Sequence, residues 1–179
     1  NRLGDGPDIE RVLAAMAGDV DSFLALCRRY YPAMVAVARA VLGDGHLCED
    51  AVQEALAKAC RKLGTLKNPK RFGAWLTAIC RNEARSMLRR NPKTVSLGDR
   101  DVPEKVFAED PDVDLVRQAI SRLPAAAREL VYLKYRNDLS HESIAELLDI
   151  TPQAVHGRLQ RARRSVKAYV QRLRSRRLS

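Results

Sequence analysis

Apolar residues recur along this chain at three- and four-residue intervals, and no stretch alternates with the period of two that a half-buried strand requires. The spacing predicts an all-α protein. Asp8–Ala17 reads as a first helix ended by Gly18. Asp19 or Asp21 can cap a second through Phe23, Leu26, Cys27 and Tyr30, with Pro32 either kinking it or beginning the next. The helical pattern resumes over Ala33–Leu42 and stops at Gly43-Asp44-Gly45. Leu47–Leu63 and Phe72–Arg90 are long amphipathic helices on either side of a loop, Gly64–Arg71, that contains Asn68-Pro69. From Asn91 to Asp112 the periodicity lapses and Pro92, Pro103 and Pro111 appear, as expected of a linker between two separately moving domains. About four helices follow over Val113–Lys167, the last running into a basic tail. The expected organisation is two helical domains, 1–90 and 113–179, joined by a flexible linker over 91–112, with no internal repeat.

Within the second domain, Leu139–Arg164 carries the sharpest local signal. Ser140 is a good N-cap, Glu142 and Glu146 sit early in the helix where the positive dipole end favours them, and Ile144, Ala145, Leu147 and Leu148 supply a buried stripe. Asp149-Ile150-Thr151-Pro152 breaks that helix, with Thr151 placed to cap the next and Pro152 tolerated at its first position. The next helix repeats Val155, Leu159, Ala162 and Val166 toward the core, while Gly157, Gln160, Arg161 and Arg164 point the other way. A helix-turn-helix needs this arrangement, because its second helix packs on one side and enters a major groove on the other.

Charge changes the picture in the same direction. The 179 residues carry a formal charge of +10, which favours a polyanionic partner. No Asp or Glu occurs from Val155 to the end, whereas Asp99–Asp114 is strongly acidic. Aromatic residues make up only 5% of the chain, so the core is expected to be packed with Leu, Ala and Val. Cys27, Cys48, Cys60 and Cys80 are isolated within apolar helical patterns and read as buried free thiols of a reducing cytoplasm rather than disulfides or zinc ligands. His46 and His141 read as surface residues, and His46 with Cys48 makes no metal site without further ligands. No apolar run is long enough to span a bilayer, no signal peptide is recognisable, and a start at Asn1 rather than Met is expected of a trimmed or partial chain. There is no convergent His/Asp/Glu triad, glycine-rich phosphate loop, H-E-x-x-H motif or nucleophile elbow, so neither catalysis nor a cofactor is expected.

Two surfaces of the first domain are candidates for function. Asp50, Gln53 and Glu54, spaced i, i+3 and i+4, cluster on one helix face. Composition favours a solvated polar face; the alternative is a docking patch for a basic groove. On Phe72–Arg90, the residues Phe72, Trp75, Leu76, Ile79, Cys80 and Met87 form the apolar side, so Trp75 reads as core. Arg81, Asn82, Arg85, Arg89 and Arg90 occupy the rest. Cationic and amide groups beside aromatics suit single-stranded DNA, although Arg89 and Arg90 equally suit a helix C-terminus. Lys67, Lys70 and Arg71 make the preceding loop basic as well.

Taken in order, these segments resemble the extracytoplasmic-function (ECF) group of bacterial sigma factors, within the sigma-70 family. The resemblance spans nearly the whole chain. It runs through Gly18-Asp19-x-x-Ser22-Phe23, Leu42-Gly43-Asp44, Glu49-Asp50-Ala51-Val52-Gln53-Glu54 and Phe72-x-x-Trp75-Leu76-x-x-Ile79-x-x-Asn82. It resumes at Leu123-Pro124-Ala125-x-x-Arg128-Glu129-Leu130-Val131 and ends with Arg158-Leu159-x-Arg161-Ala162-Arg163. The resemblance implies a first domain that binds the beta-prime clamp helices of core RNA polymerase and melts the promoter −10 element, and a second that binds the −35 element and the beta flap. Carried across, Asp50, Gln53 and Glu54 become the polymerase-docking patch. Lys67, Asn68, Lys70 and Arg71 with Asn82 become the −10 reader, the loop and helix forming a pocket for an everted base, while Arg81, Arg85, Arg89 and Arg90 hold phosphates. Gln153, His156, Gly157, Arg158, Gln160, Arg161 and Arg164 become candidates at the −35 duplex, where Gln160 suits adenine and an arginine suits guanine. An anti-sigma factor is an implied partner, and the linker is implied to thread toward the polymerase active-site and RNA-exit channels.

The chain departs from the family pattern where its recognition helix begins. Ala154-Val155-His156-Gly157-Arg158 stands in place of a Thr-Val-Lys-Ser-Arg-like run, which removes one contact to phosphate or base and admits closer backbone approach, so the −35 sequence does not transfer from relatives. His156 itself reads as a solvated histidine. The main rival reading, a helix-turn-helix regulator that is not a sigma subunit, leaves the acidic patch and the Trp75–Asn82 segment unexplained.

Overall fold

The computed structural model describes residues 6–43, 45–90 and 111–177, which form eight α-helices and two single 3₁₀ turns. Helix α1 is Gly6–Met16, α2 Val20–Leu42, α3 Gly45–Lys62 and α4 Phe72–Arg90; the 3₁₀ turns, Leu63–Thr65 and Pro69–Arg71, lie between α3 and α4. Helices α5 Pro111–Ser121, α6 Ala125–Tyr135, α7 His141–Leu148 and α8 Pro152–Arg177 complete the chain. The residues expected to lie in the 91–110 stretch of the linker fall outside the described residues.

Local chemistry sets the helix ends. Asp19, not Asp21, caps α2, its carboxylate accepting from the Ser22 N–H at 3.1 Å. The hydrogen bonds from Ser22 hold the Asp19 carboxyl below its ordinary range. The cap therefore contributes above the usual carboxylate pKa and is lost as pH falls through the lowered one. Gly43 ends α2 in the left-handed region (φ 75°), donating to the Arg39 carbonyl at 2.9 Å. Between these caps, Pro32 does not divide the helix. A proline inside a helix costs about 3 kcal/mol, but Tyr30, Ala33, Met34, Ala36 and Val37 around it are all buried, and their burial offsets that cost.

Helix α2 is the axis of the first half, with α1, α3 and α4 around it. Small buried residues such as Ala33, Ala51, Ala55, Ala59 and Ala84 let the helices approach closely, and Leu26, Met34, Phe72 and Leu76 fill the space between. Tyr30 and Phe72 meet edge to face with ring centroids 5.4 Å apart. Buried Asp8 ties α1 to α2, accepting from Arg29 Nε at 2.9 Å and the Tyr30 hydroxyl at 3.2 Å. In the second half, Ser140 caps α7 through the Ser143 N–H, Asp149 closes it in the left-handed region (φ 55°), and Thr151 caps α8 through the Ala154 N–H. Leu130, Leu133, Ile144, Val155 and Leu159 are buried there.

The two halves are in contact. One apolar cluster runs through both, with α6 lying on α2 and α7 on α4. Gly73 makes the closest approach possible, since a Cβ there would fall 2.9 Å from the Tyr30 ring and 3.1 Å from a Leu147 methyl. Polar bridges surround that point. The Arg128 guanidinium donates to the Ala40 carbonyl at 3.0 and 2.7 Å, and the Thr77 hydroxyl donates to the Leu147 carbonyl at 2.7 Å. Arg81 grips Glu129 at 2.6 and 3.3 Å, and Arg71 pairs with Asp149. Linker composition carries no information about what the flanking helices touch, so this contact was not foreseen from the sequence.

Cysteine placement corrects one expectation. Cys27, Cys48 and Cys80 are buried free thiols, but Cys60 is exposed, because it sits on the outer face of α3 next to buried Ala59. Burial pushes the Cys27 thiol up to about 11 and the Cys80 thiol up to about 12, so both stay protonated at neutral pH. Titration of the native chain with a thiol reagent is expected to modify Cys60 rapidly and the other three only on unfolding; rapid reaction of Cys80 would contradict this packing.

Candidate nucleic-acid and polymerase interfaces

The 3₁₀ segment before α4 is held in shape by its own side chains. Asn68 caps its second turn, its carbonyl accepting from the Lys70 N–H at 3.0 Å, and Thr65 donates to the Lys62 carbonyl at 2.7 Å. Buried Leu63 and Leu66 anchor the segment to the core, so Lys67, Asn68, Lys70 and Arg71 are presented outward and exposed. Between this segment and α4 lies a cleft of about 530 Å³. Thr65, Leu66, Lys67, Asn68 and Arg71 form one wall and Ala74, Trp75, Ala78 and Arg81 another. The third wall comes from Leu147, Leu148 and Asp149 at the end of α7. A volume of this size, with an indole on one wall and cations at the rim, can accept a nucleobase while its phosphates meet arginine and lysine.

The structure thus brings Lys67, Asn68, Arg71 and Arg81 to one cleft, whereas Lys70 and Asn82 are exposed but do not line it. Arg85 and Arg89 continue the cationic exposed face of α4, and Arg90 turns back on its own helix, its guanidinium donating to the Ser86 carbonyl and hydroxyl. Trp75 combines two roles. It packs on Phe72 at 5.9 Å, as a core residue would, yet it is half-buried and its remaining surface lines the cleft. Helical spacing identifies its buried edge only. The contributions of Leu147, Leu148, Asp149 and Glu129 were missed altogether, because they come from a part of the chain remote in sequence.

On α3, Asp50, Gln53 and Glu54 are all exposed on the face opposite buried Ala51, Val52 and Ala55. Lys58, one turn further, is engaged by Glu83 of α4, so α3 and α4 are joined and the carboxylates of Asp50 and Glu54 face outward beyond that pair.

Helix α8 has the two faces expected of it. Val155, Leu159 and Ala162 are buried, while Gln153, His156, Arg158, Gln160, Arg161 and Arg164 are exposed and Gly157 half-exposed. The Gln160 amide lies 2.9 Å from His156 Nε2, and His156 meets His141 edge-on with centroids 5.7 Å apart. His141 is therefore half-buried rather than a plain surface residue, since the start of α7 leans on α8. Farther along α8, Arg163 covers the Tyr135 ring and Arg122 the Tyr169 ring, fixing the helix against α5 and α6. An apolar groove of about 510 Å³ opens there, lined by Val116, Ile120, Val131, Tyr135, Val166 and Val170 with Arg163, Lys167 and Arg174 at its rim.

Comparison with known proteins agrees with this geometry. The sequence matches Sigma-70 region 2 over residues 26–94 and Sigma-70, region 4 over residues 114–166. It is 33% identical over 146 residues to the probable RNA polymerase sigma factor RfaY of Xanthomonas campestris pv. campestris, covering 75% of this chain and 36% of that longer protein. It is 26% identical over 175 residues to the ECF RNA polymerase sigma factor SigW of Bacillus subtilis, covering 88% of this chain and 94% of SigW. Among solved structures, the sigma factor RpoE in complex with the anti-sigma factor NepR from Bartonella quintana superposes with a TM-score of 0.58 at 26% identity, covering 85% of this chain and 98% of RpoE. The chain belongs to the sigma-70 family of RNA polymerase sigma factors, in its ECF group.

For the recognition helix, Arg161→Ala is expected to weaken duplex DNA binding and to reduce the slope of log affinity against log salt by about 0.9, the value for one phosphate contact. Anisotropy titrations over a salt series measure it. An unchanged slope would mean that Arg161 reads a base or touches nothing.

Proposed function

We propose that this chain binds core RNA polymerase and directs promoter-specific transcription initiation by recognising −35 and −10 elements. The observation that carries the reading is the presence in one chain of both sigma regions, each with an exposed cationic face. Residues 1–90 act as the polymerase-docking and −10 unit, 91–112 as the linker, and 113–179 as the −35 unit. The chain acts as a non-catalytic subunit in the cytoplasm, where transcription takes place. Among the described residues no helix is long and apolar enough to cross a membrane.

Asp50, Gln53 and Glu54 dock on the beta-prime clamp helices, an acidic patch meeting a basic surface. Lys67, Asn68 and Arg71 with Trp75 receive an everted non-template base, Lys70 and Asn82 meet the strand beside the cleft, and Arg81, Arg85, Arg89 and Arg90 bind its phosphates. Gln153, His156, Gly157, Arg158, Gln160, Arg161 and Arg164 face the −35 duplex. Gln160 can offer its amide to adenine, and the arginines divide between guanine and phosphate. The apolar groove between α5, α6 and α8 suits the beta flap. RpoE from Bartonella quintana was solved with an anti-sigma factor, and a partner of that kind is proposed for this chain also.

Charge reversal at Asp50 or Glu54 tests the docking role. Both side chains are exposed, so each reversal is expected to leave the thermal midpoint unchanged while weakening binding to core polymerase roughly tenfold. Co-purification with core polymerase and thermal melting read the two effects separately. Equal loss of binding and stability would refute the docking role.

A further inference from the structure

His156 and Gln160 lie one turn apart on the exposed face of α8, near its start. The Gln160 amide nitrogen is 2.9 Å from His156 Nε2. An amide nitrogen only donates, so Nε2 is the acceptor and the ring proton sits on Nδ1. The ring is held in turn from a second element. His141, the first residue of α7 after the Ser140 cap, meets it edge to face at 5.7 Å with 68° between the ring planes. Helix α7 thus steadies the His156 ring, and the ring engages one N–H of Gln160. Gly157 lies on the same face, and a Cβ there would meet nothing within 4 Å. Among the described residues nothing calls for glycine at this helical position, where it is destabilising. It leaves the backbone beside His156 and Gln160 bare, as close approach to a duplex requires.

We propose that His156 is a positioning residue for base readout, turning the Gln160 amide so that it selects adenine. The proposal rests on reading α8 as the −35 helix and adds which group sets the specificity of one position. With one N–H taken by His156, Gln160 keeps its Oε1 and its second N–H for the groove. That pair matches the N6 amino group and N7 on the major-groove edge of adenine. A partner at position 156 that can only donate would turn Oε1 toward itself. Both N–H groups would then face the groove, where they suit O6 and N7 of guanine or O4 of thymine. In water a contact between two exposed side chains holds little, because solvent competes for both. Seated on DNA it is shielded, and a reversed amide would set a donor against the amino group of adenine. The orientation is therefore enforced where the base is read.

The test uses the full chain with a duplex library carrying a randomised stretch, the bound fraction being sequenced. Wild type is compared with Gln160→Ala, His156→Glu and His156→Lys, and circular dichroism melting verifies that each folds. Anisotropy with the selected duplex at low salt reads affinity. The wild type is expected to prefer adenine roughly tenfold at one position of the selected site, and Gln160→Ala to abolish that preference. At the same position His156→Glu, which can only accept, keeps adenine although its charge lowers overall affinity. His156→Lys, which can only donate, raises affinity yet moves the preference to guanine or thymine. Base choice and affinity then move independently, which a merely structural role would not produce. A Gln160-dependent adenine preference that survives His156→Lys, or is lost in His156→Glu, overturns the positioning role and leaves the −35 reading intact. So does a change confined to a neighbouring position, which would make His156 a base reader itself. Should one His156 variant fail to fold or bind, the other decides by the same criterion. A preference that Gln160→Ala leaves unmoved, or one for another base, removes Gln160 as an adenine reader and the proposal with it. A wild type that selects no sequence removes the −35 reading as well.

Discussion

A helix with arginines along one face must leave each of them in water or give it a partner. Helix α4 meets this constraint in two ways along its length. Toward its C-terminus, Arg85 and Arg89 remain in water, where the cost of an exposed charge is small. Nearer its start, Arg81 stands against the second half of the molecule and is neutralised there by Glu129. That pair lies where α6 rests on α2 and α7 on α4 through a shared apolar cluster, and the end of α7 supplies the cleft's third wall. The two halves thus share one apolar cluster, and the Arg81–Glu129 pair satisfies the charge left at its edge.

The helices themselves were legible from spacing and punctuation. Phe72–Arg90 runs as its periodicity predicts, Ser140 and Thr151 cap the two helices of the helix-turn-helix, and Gly43 stops α2. These are local effects, decided within one or two turns. Pro32 was ambiguous because its local cost is real, and only the burial of its neighbours settles the helix as continuous. Cys60 was misjudged for a related reason: it neighbours a buried position on α3 without sharing its face.

The candidate sites were legible in part. Periodicity places the acids of α3 outward and the recognition residues of α8 away from the core, as observed. It shows which face is buried but not what buries it. Leu147 is a stripe residue in either case, and nothing in its spacing reveals that it touches Gly73 and lends its carbonyl to Thr77, seventy positions away. The family resemblance assigned Arg81 to phosphate, and its ion-pair partner Glu129, forty-eight positions on, was not foreseen. Trp75 was divided between core and cleft by geometry that no pattern of apolar positions encodes.

The two candidate DNA-binding faces differ in exposure. The polar face of α8 is exposed as it stands, with His156, Gln160 and Arg161 outward, while the cleft beside α4 is walled on one side by the end of α7. The most direct measurement is transcription by purified core RNA polymerase on fragmented genomic DNA from the source organism, with and without the full chain, followed by mapping of transcript starts. The chain is expected to produce transcripts whose starts share one pair of upstream elements at −35 and −10. Output and start sites unchanged by the chain would contradict its role as a sigma factor.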